Sequence, residues 1–204
     1  MIRLYGIRAS RAARCIWMLE ELGLEYENVP VSFVGDVQKP EYLAINPNGR
    51  VPALVDDDGT VVWESMAINL YLAEKYDRGF RPRNDAERGH VLQWTLWGVT
   101  ELESGVIDAF VHRVMLPEGQ RDARIADAGE ARLARPLPVL DGQLAKSPYL
   151  LGDRFSAADL NVCAILMVAR PARIDLGKYP NVERWLRACT GRPAAQKAFG
   201  APRT

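Results

Sequence analysis

The sequence predicts an α/β domain over residues 1–77 followed by an all-α domain over residues 85–204. Three observations carry this. Short apolar runs bounded by turn residues alternate with amphipathic stretches as far as Tyr76, the pattern of strands and helices in one layered domain. Asp77 to Asn84 (D-R-G-F-R-P-R-N) is polar and carries both Gly and Pro, as a linker does. Beyond it no segment reads as a strand, and the apolar positions recur with helical spacing.

Ile2 to Tyr5 reads as a first strand and Gly6 to Ala9 as a loop. Ser10 to Gly23 reads as a helix, with Cys15, Met18, Leu19 and Leu22 as its buried stripe and Gly23 as its stop. Tyr26 to Val31 is a second strand, and the intervening helix makes the pair a parallel βαβ unit. Lys39 to Ile45 is a short helix or turn. Asn46-Pro47-Asn48-Gly49 then has turn chemistry, since Asn and Gly tolerate positive φ and Pro presets the bend. Pro52 opens a strand, Ala53 to Val55, where a missing ladder N–H is tolerated. Asp56 to Gly59 is a hairpin turn of Asp-Gly type, and Thr60 to Trp63 the returning strand. Ser65 is placed to N-cap a helix reaching Tyr76, with Ile68, Tyr71 and Leu72 on one face.

In the second half, Asp85 to Leu116 is expected as one helix about 45 Å long, ended by Pro117-Glu118-Gly119. Gln120 to Leu144 is helical in pattern but contains Pro136 and Pro138. Each proline removes a backbone hydrogen bond at a cost of about 3 kcal/mol, while Leu133, Leu137, Leu140 and Leu144 share a face that a break would disturb. The expected compromise is a continuous helix kinked between Arg132 and Leu137. Ser156 and Asp159 have capping-box spacing at the head of an apolar helix through Ala169, and Asp159 reads as the cap of a core helix rather than as a catalytic acid. Pro180-Asn181 opens a short helix carrying Trp185.

Lys and Arg number 26 and Asp and Glu number 26, so no basic footprint for nucleic acid or anionic membrane exists. The apolar run Val162 to Ala169 is far shorter than the roughly twenty residues a membrane span needs. The N-terminus lacks the regions of a signal peptide, so a cytoplasmic location is expected. Cys15, Cys163 and Cys189 lie on apolar stripes or runs and read as packing residues. His90 and His112 stand apart from any cluster with ligand spacing, so no metal is expected.

The stretch V-P-A-L, a hairpin, then E-S-M-A-I, together with Y-L-L-G-D-R-F-S-A-A-D-L about a hundred residues later, resembles the cytosolic glutathione transferases. The S-R-A-A-R-C segment, with Arg14 four residues after Ser10, is similar to their serine-type, phi- and theta-like members, bacterial ones included. The resemblance spans nearly the whole chain and implies a thioredoxin-like first domain. It implies that Val51–Pro52 is cis, that residue 51 pairs strand-fashion with the cysteinyl backbone of glutathione, and that Glu64 and Ser65 hold its γ-glutamyl end. Lys39 stands where relatives place a basic contact to the glycyl carboxylate; a solvated lysine is the competing reading. Arg50 stands where Gln or Lys is expected.

Glutathione chemistry needs a thiolate, and an unperturbed thiol has a pKa of about 8.5. A hydrogen-bond donor aimed at the sulfur, beside a helix N-terminus, lowers it. By residue type Ser10 reads first as a helix cap; the resemblance makes it the thiolate stabiliser, and the two roles coexist. Tyr5, at the end of strand one, is the runner-up, since tyrosine-type classes place their hydroxyl there. Cysteine-type relatives need a Cys in this loop, and none lies between Gly6 and Arg14. Trp97 lies on the helix that in relatives walls the electrophile pocket. The implied function is conjugation of glutathione to a small hydrophobic electrophile, as in detoxification, by a homodimer. The alternatives are a non-catalytic binding or interaction protein of the same fold and a glutathione-dependent reductase.

Overall fold

The computed structural model describes residues 1–200. They form two compact units, one of Met1–Arg81 with the segment from Arg192 onward, the other of Pro82–Gly191.

In the first unit the order is β1 (Ile2–Tyr5), α1 (Ala12–Glu21), β2 (Tyr26–Val29), a 3-10 turn at Asp36–Gln38, α2 (Pro40–Leu43), β3 (Ala53–Val55), β4 (Val61–Trp63) and α3 (Ser65–Tyr76). The sheet order is β2-β1-β3-β4. Strands β1 and β2 run parallel with Ile2 opposite Tyr26, as a helix crossover requires. Strands β1 and β3 are antiparallel with Leu4 opposite Leu54, and β3 meets β4 through the Asp56–Gly59 turn. This is the expected thioredoxin-like arrangement. Cys15, Met18 and Leu19 of α1, Leu22 just past its end, Leu54 of β3, and Ile68 and Leu72 of α3 are buried in its core.

Helix α1 is buried nearly all round, from Ala12 to Leu19. Its second face is covered by a helix the sequence did not signal, at Pro193–Phe199. Phe199 meets Trp17 edge-on at 5.9 Å, and Glu21 accepts two bonds from Arg192 at 2.5 and 2.7 Å. The Pro193–Phe199 helix, expected within the second domain, 85–204, packs on α1 and groups with the first unit.

The second unit is helical. One rod runs from Asp85 to Met115 as α4 (Asp85–Trp97), a π-helical segment Gly98–Glu103, α5 (Ser104–Phe110) and a second π segment Val111–Met115, with helical dihedrals at each joint. Asn84 caps it, accepting from Glu87 N at 2.9 Å. Then come α6 (Ala123–Arg132), α7 (Pro136–Leu144), α8 (Ala157–Leu166) and α9 (Pro180–Thr190).

The single kinked helix expected over Gln120–Leu144 is instead two helices joined by a three-residue turn, 133–135. The amides of Leu133 and Ala134 bond only three residues back, at 2.9 and 3.2 Å, tightening the end of α6. Pro136 then takes the first helical position of α7, where its missing N–H costs nothing. Restarting there is cheaper than bridging two absent donors within three residues. The leucine face survives, because the backbone at Leu133 and Arg135 stays in the helical region and Leu133, Leu137, Leu140 and Leu144 all remain buried.

The capping box at the head of α8 is present, and Asp159 is buried. One carboxylate oxygen accepts from Leu150 N at 2.8 Å and Trp185 Nε1 at 2.9 Å. The other accepts from Ser156 N at 3.0 Å and Ser156 Oγ at 2.7 Å. Burial pushes this carboxyl above its usual range, and the four donors oppose that rise. Helix α8 ends at Leu166, three residues short of the expected Ala169. Among the described residues no helix is long and apolar enough to cross a membrane.

Candidate active site

Strand β1 delivers the chain to Gly6, whose φ of 141° favours glycine. A Cβ on Gly6 would stand 2.7 Å from Ala12 Cβ, 3.4 Å from Val51 Cβ and 3.6 Å from Ser10 Oγ. The absent side chain thus lets three segments meet: the start of α1, the residue before Pro52, and the Ser10 hydroxyl.

From Gly6 the chain makes a tight turn, Ile7 to Ser10, closed by Ser10 N donating to Ile7 O at 3.0 Å. The half-buried Ser10 hydroxyl donates to Ile7 O at 2.6 Å and accepts from Ala12 N at 3.2 Å. It therefore satisfies one of the first amides of α1, although the helix begins at Ala12 rather than at Ser10. A hydroxyl has one proton to give. Offered a thiolate, it can rotate away from Ile7 O, which keeps the Ser10 amide as its partner.

Tyr5 is buried in a cluster with Val31, Val37, Tyr42 and Ala53, its ring 6.2 Å from that of Tyr42. The neighbouring turn is built on a carbonyl. Arg50 O accepts from Tyr42 Oη and from Asn46 Nδ2, both at 2.6 Å, while Asn46 Oδ1 accepts from Asn48 N at 3.1 Å. Gly49 lies so close to the preceding loop that a Cβ there would stand 2.8 Å from Gln38 Nε2. The loop ending at Lys39 is thereby held beside the turn.

The Val51–Pro52 peptide is cis, as the resemblance implied. Residue 51 lies past Ala53, the last β3 residue paired with β1, so its backbone polar groups stand beyond the ladder. The exposed Lys39 ammonium sits 2.7 Å from an Asp36 oxygen, and that contact raises its pKa and lowers that of Asp36. The Arg50 side chain is exposed.

Ser65 was expected to N-cap α3; it is the first helical residue, and Glu64 holds the cap position with φ 72° and ψ 118°. Strand β4 passes into α3 without a loop, and the whole change of direction falls on Glu64. A non-glycine residue rarely adopts that conformation. The Glu64 side chain points outward, and Ser65 is buried, its carbonyl accepting from Cys15 Sγ at 3.6 Å. That contact holds the N-terminal parts of α1 and α3 together, and helix starts favour negative charge.

Seven candidate residues, Tyr5, Ser10, Lys39, Val51, Pro52, Glu64 and Ser65, belong to the first unit. Trp97 belongs to the second, half-buried and edge-on to Trp94 at 5.0 Å. A cavity of about 430 Å³ in that unit, lined by Arg83, Asn84, Glu87, His90, Gln143 and Leu150 among others, contains none of the candidates. The carboxylates of Asp56, Asp57 and Asp58 converge, but the Lys75 ammonium sits among them at 2.8, 3.2 and 2.8 Å. Gly6, Tyr42 and Asn46, which shape the candidate site, are not among the residues predicted from the sequence. A glycine directly after a strand and an Asn-Pro-Asn-Gly turn were the signals available.

Residues 1–74 match the profile of the glutathione S-transferase N-terminal domain, and residues 102–193 that of the C-terminal domain. Glutathione S-transferase 3 of Zea mays is 35% identical, covering 98% of this chain and 94% of its own. Glutathione S-transferase GstB of Escherichia coli K12 is 31% identical over 99% of both. The crystal structure of a theta class glutathione S-transferase from Xanthomonas axonopodis pv. citri, with glutathione bound, superposes with a TM-score of 0.91 at 32% identity, covering 100% of this chain and 99% of that one. The chain belongs to the glutathione S-transferase family.

Proposed function

We propose that this transferase conjugates glutathione to a small hydrophobic electrophile, with Ser10 as the group that stabilises the thiolate. The observation that carries the reading is the meeting at Gly6, where the Ser10 hydroxyl and Val51 flank one glycine. A tripeptide lying strand-fashion on residue 51, beside the cis Val51–Pro52 bond, would bring its central cysteine toward that hydroxyl. The backbone beyond the β1–β3 ladder supplies such a strand partner. Glu64 and Ser65, at the start of α3, take the γ-glutamyl end, whose carboxylate suits first-turn amides. Lys39 takes the glycyl carboxylate in competition with Asp36.

The Ser10 hydroxyl turns from Ile7 O to the sulfur and favours the charged form. The thiol proton leaves to solvent, the sulfur lone pair forms a C–S bond, and the leaving group departs with the electrons of the bond it breaks. The protein contributes thiolate stabilisation and proximity, with no covalent enzyme intermediate. Tyr5 is the weaker candidate because its ring is committed to a packed cluster. A homodimer in the cytoplasm completes the proposal, supported by the resemblance and the balanced charge. The absence of a Cys between Gly6 and Arg14 disfavours the reductase reading.

Conjugation kinetics with an aryl halide test the assignment. Ser10→Ala should lower kcat about 100-fold, the loss typical of one donor to a developing anion. It should leave glutathione affinity within about threefold, because the hydroxyl acts on the sulfur alone. Full activity in Ser10→Ala with loss in Tyr5→Phe would reverse the assignment. Retention on immobilised glutathione without turnover on any electrophile would favour the binding-protein reading.

A further inference from the structure

We infer that Arg8 is a positioning residue for the conjugation reaction, through which the C-terminal helix Pro193–Phe199 holds the turn that aims the Ser10 hydroxyl. The inference rests on the reading of Ser10 given above. Arg8 is the second residue of the Ile7–Ser10 turn, the one closed by Ser10 N on Ile7 O. Its Nη1 reaches across nearly the full length of the chain and donates to Lys197 O at 2.7 Å and Ala198 O at 3.0 Å. Those carbonyls lie in the last turn of the helix, whose final carbonyls have no donor within the helix itself. A guanidinium there satisfies two orphan acceptors and lies at the negative end of the helix dipole. Arg8 is therefore a cap on one helix and the anchor of a catalytic turn on another.

The anchor is itself fixed to α1 at several points. Glu20 Oε2 pairs with Lys197 Nζ, and Glu20 Oε1 accepts from Tyr26 Oη at 3.0 Å. Arg192 grips Glu21 with two bonds, and Phe199 packs on Trp17. So the C-terminal helix is clamped along α1, and Arg8 refers the turn to that clamped position. Without Arg8 the turn keeps its Ile7–Ser10 closure but loses its outer attachment. The Ser10 hydroxyl then samples directions other than the sulfur. Misplacement of a catalytic group by about 1 Å can cost as much as a hundredfold in rate. The sites that grip the ends of glutathione, at Lys39, Val51 and Glu64, are carried by other segments and should not feel the change.

This separates a positioning role from a merely structural one. The test uses the full chain, with two readouts on Arg8→Ala, Ser10→Ala and the double variant: steady-state kinetics, and an ultraviolet titration of the bound glutathione thiol. Arg8→Ala should lower kcat about tenfold with glutathione KM within about threefold. It should raise the bound-thiol pKa in the same direction as Ser10→Ala, and the double variant should be no worse than Ser10→Ala alone. Arg8→Lys, which keeps the charge and a donor, should recover part of the loss; it also serves if Arg8→Ala does not fold. Unchanged thiol titration in Arg8→Ala, or effects that multiply in the double variant, would overturn the inference while Ser10→Ala still reports on the thiolate role. A Ser10→Ala enzyme with an unshifted thiol would remove the premise, and the inference would fall with it.

Discussion

Asp159 draws on four donors from three segments, Ser156, Leu150 and Trp185, and each becomes a buried orphan if the carboxylate is removed. Asp159→Ala should cost roughly 3 kcal/mol or more, since one buried unsatisfied group alone costs about 1–3 kcal/mol. Urea unfolding should show that loss while kcat per folded molecule stays unchanged; a catalytic Asp159 would give the opposite pattern. Asp56 makes a prediction with a sign. Burial raises its carboxyl, but hydrogen bonds from Lys75, Tyr71, Tyr76 and Asp57 N outweigh this and leave it at about 2. The folded value lies below the unfolded one, so the native state binds fewer protons there. The stability it contributes is present above the unfolded value of 3.8 and is lost as pH falls toward about 2. At roughly 1.4 kcal/mol per pKa unit, the contribution is on the order of 2 kcal/mol. Urea unfolding at pH 7 and at about pH 3 should show the wild-type first unit losing part of that stability, and Asp56→Asn, already weakened at pH 7, losing less on acidification. An equal acid loss in both would contradict the assignment.

At the level of elements, α5 and α6 cross with their backbones in contact. A Cβ on Gly105 would stand 2.7 Å from Gly129 O, and one on Gly129 would stand 2.8 Å from Gly105 O. Helix propensity alone would make Gly105→Ala stabilising by about 1 kcal/mol. Backbone cannot yield as a side-chain tip can, so the substitution should destabilise by about 2 kcal/mol instead. Thermal unfolding decides the sign. The sequence showed glycines inside helical stretches but had no means to pair them. It did show the strands β3 and β4 and the helix α3, because turn chemistry brackets each one: the Asn-Pro-Asn-Gly turn, the Asp-Gly hairpin and the polar linker after Tyr76. It overestimated the leucine face around Pro136. A buried stripe constrains where side chains point, and two short helices meet that demand as well as one bent helix. The misplaced cap at Ser65 has a similar origin. Ser is a preferred cap by composition, but the strained backbone of Glu64 is set by how β4 meets α3, which no local pattern records.

At the scale of the whole chain, the segment from Arg192 onward belongs with the first unit although it follows the second in sequence. The Pro193–Phe199 helix has too few turns to show a periodic stripe, and its partners Arg8, Trp17, Glu20 and Glu21 lie some 170 to 190 residues away. Ending the chain after Gly191 should expose Trp17, red-shift its fluorescence and destabilise the first unit by several kcal/mol, given the aromatic and apolar area uncovered. An unchanged emission spectrum would show that the helix is dispensable to α1. The same long-range closure explains why much of the candidate site was legible and its support was not. The candidates Ser10, Val51 and Glu64–Ser65 stand in motifs that declare themselves locally, while Gly6, Asn46 and Arg8 make contacts that only the fold creates. In the proposed reaction the Ser10 hydroxyl stabilises the thiolate of glutathione held along residue 51. Ultraviolet titration of the bound thiol measures this directly. The wild-type enzyme should ionise it well below the unperturbed value of about 8.5, and Ser10→Ala should return it most of the way there with glutathione still bound. An equally depressed thiol pKa in Ser10→Ala would contradict the account.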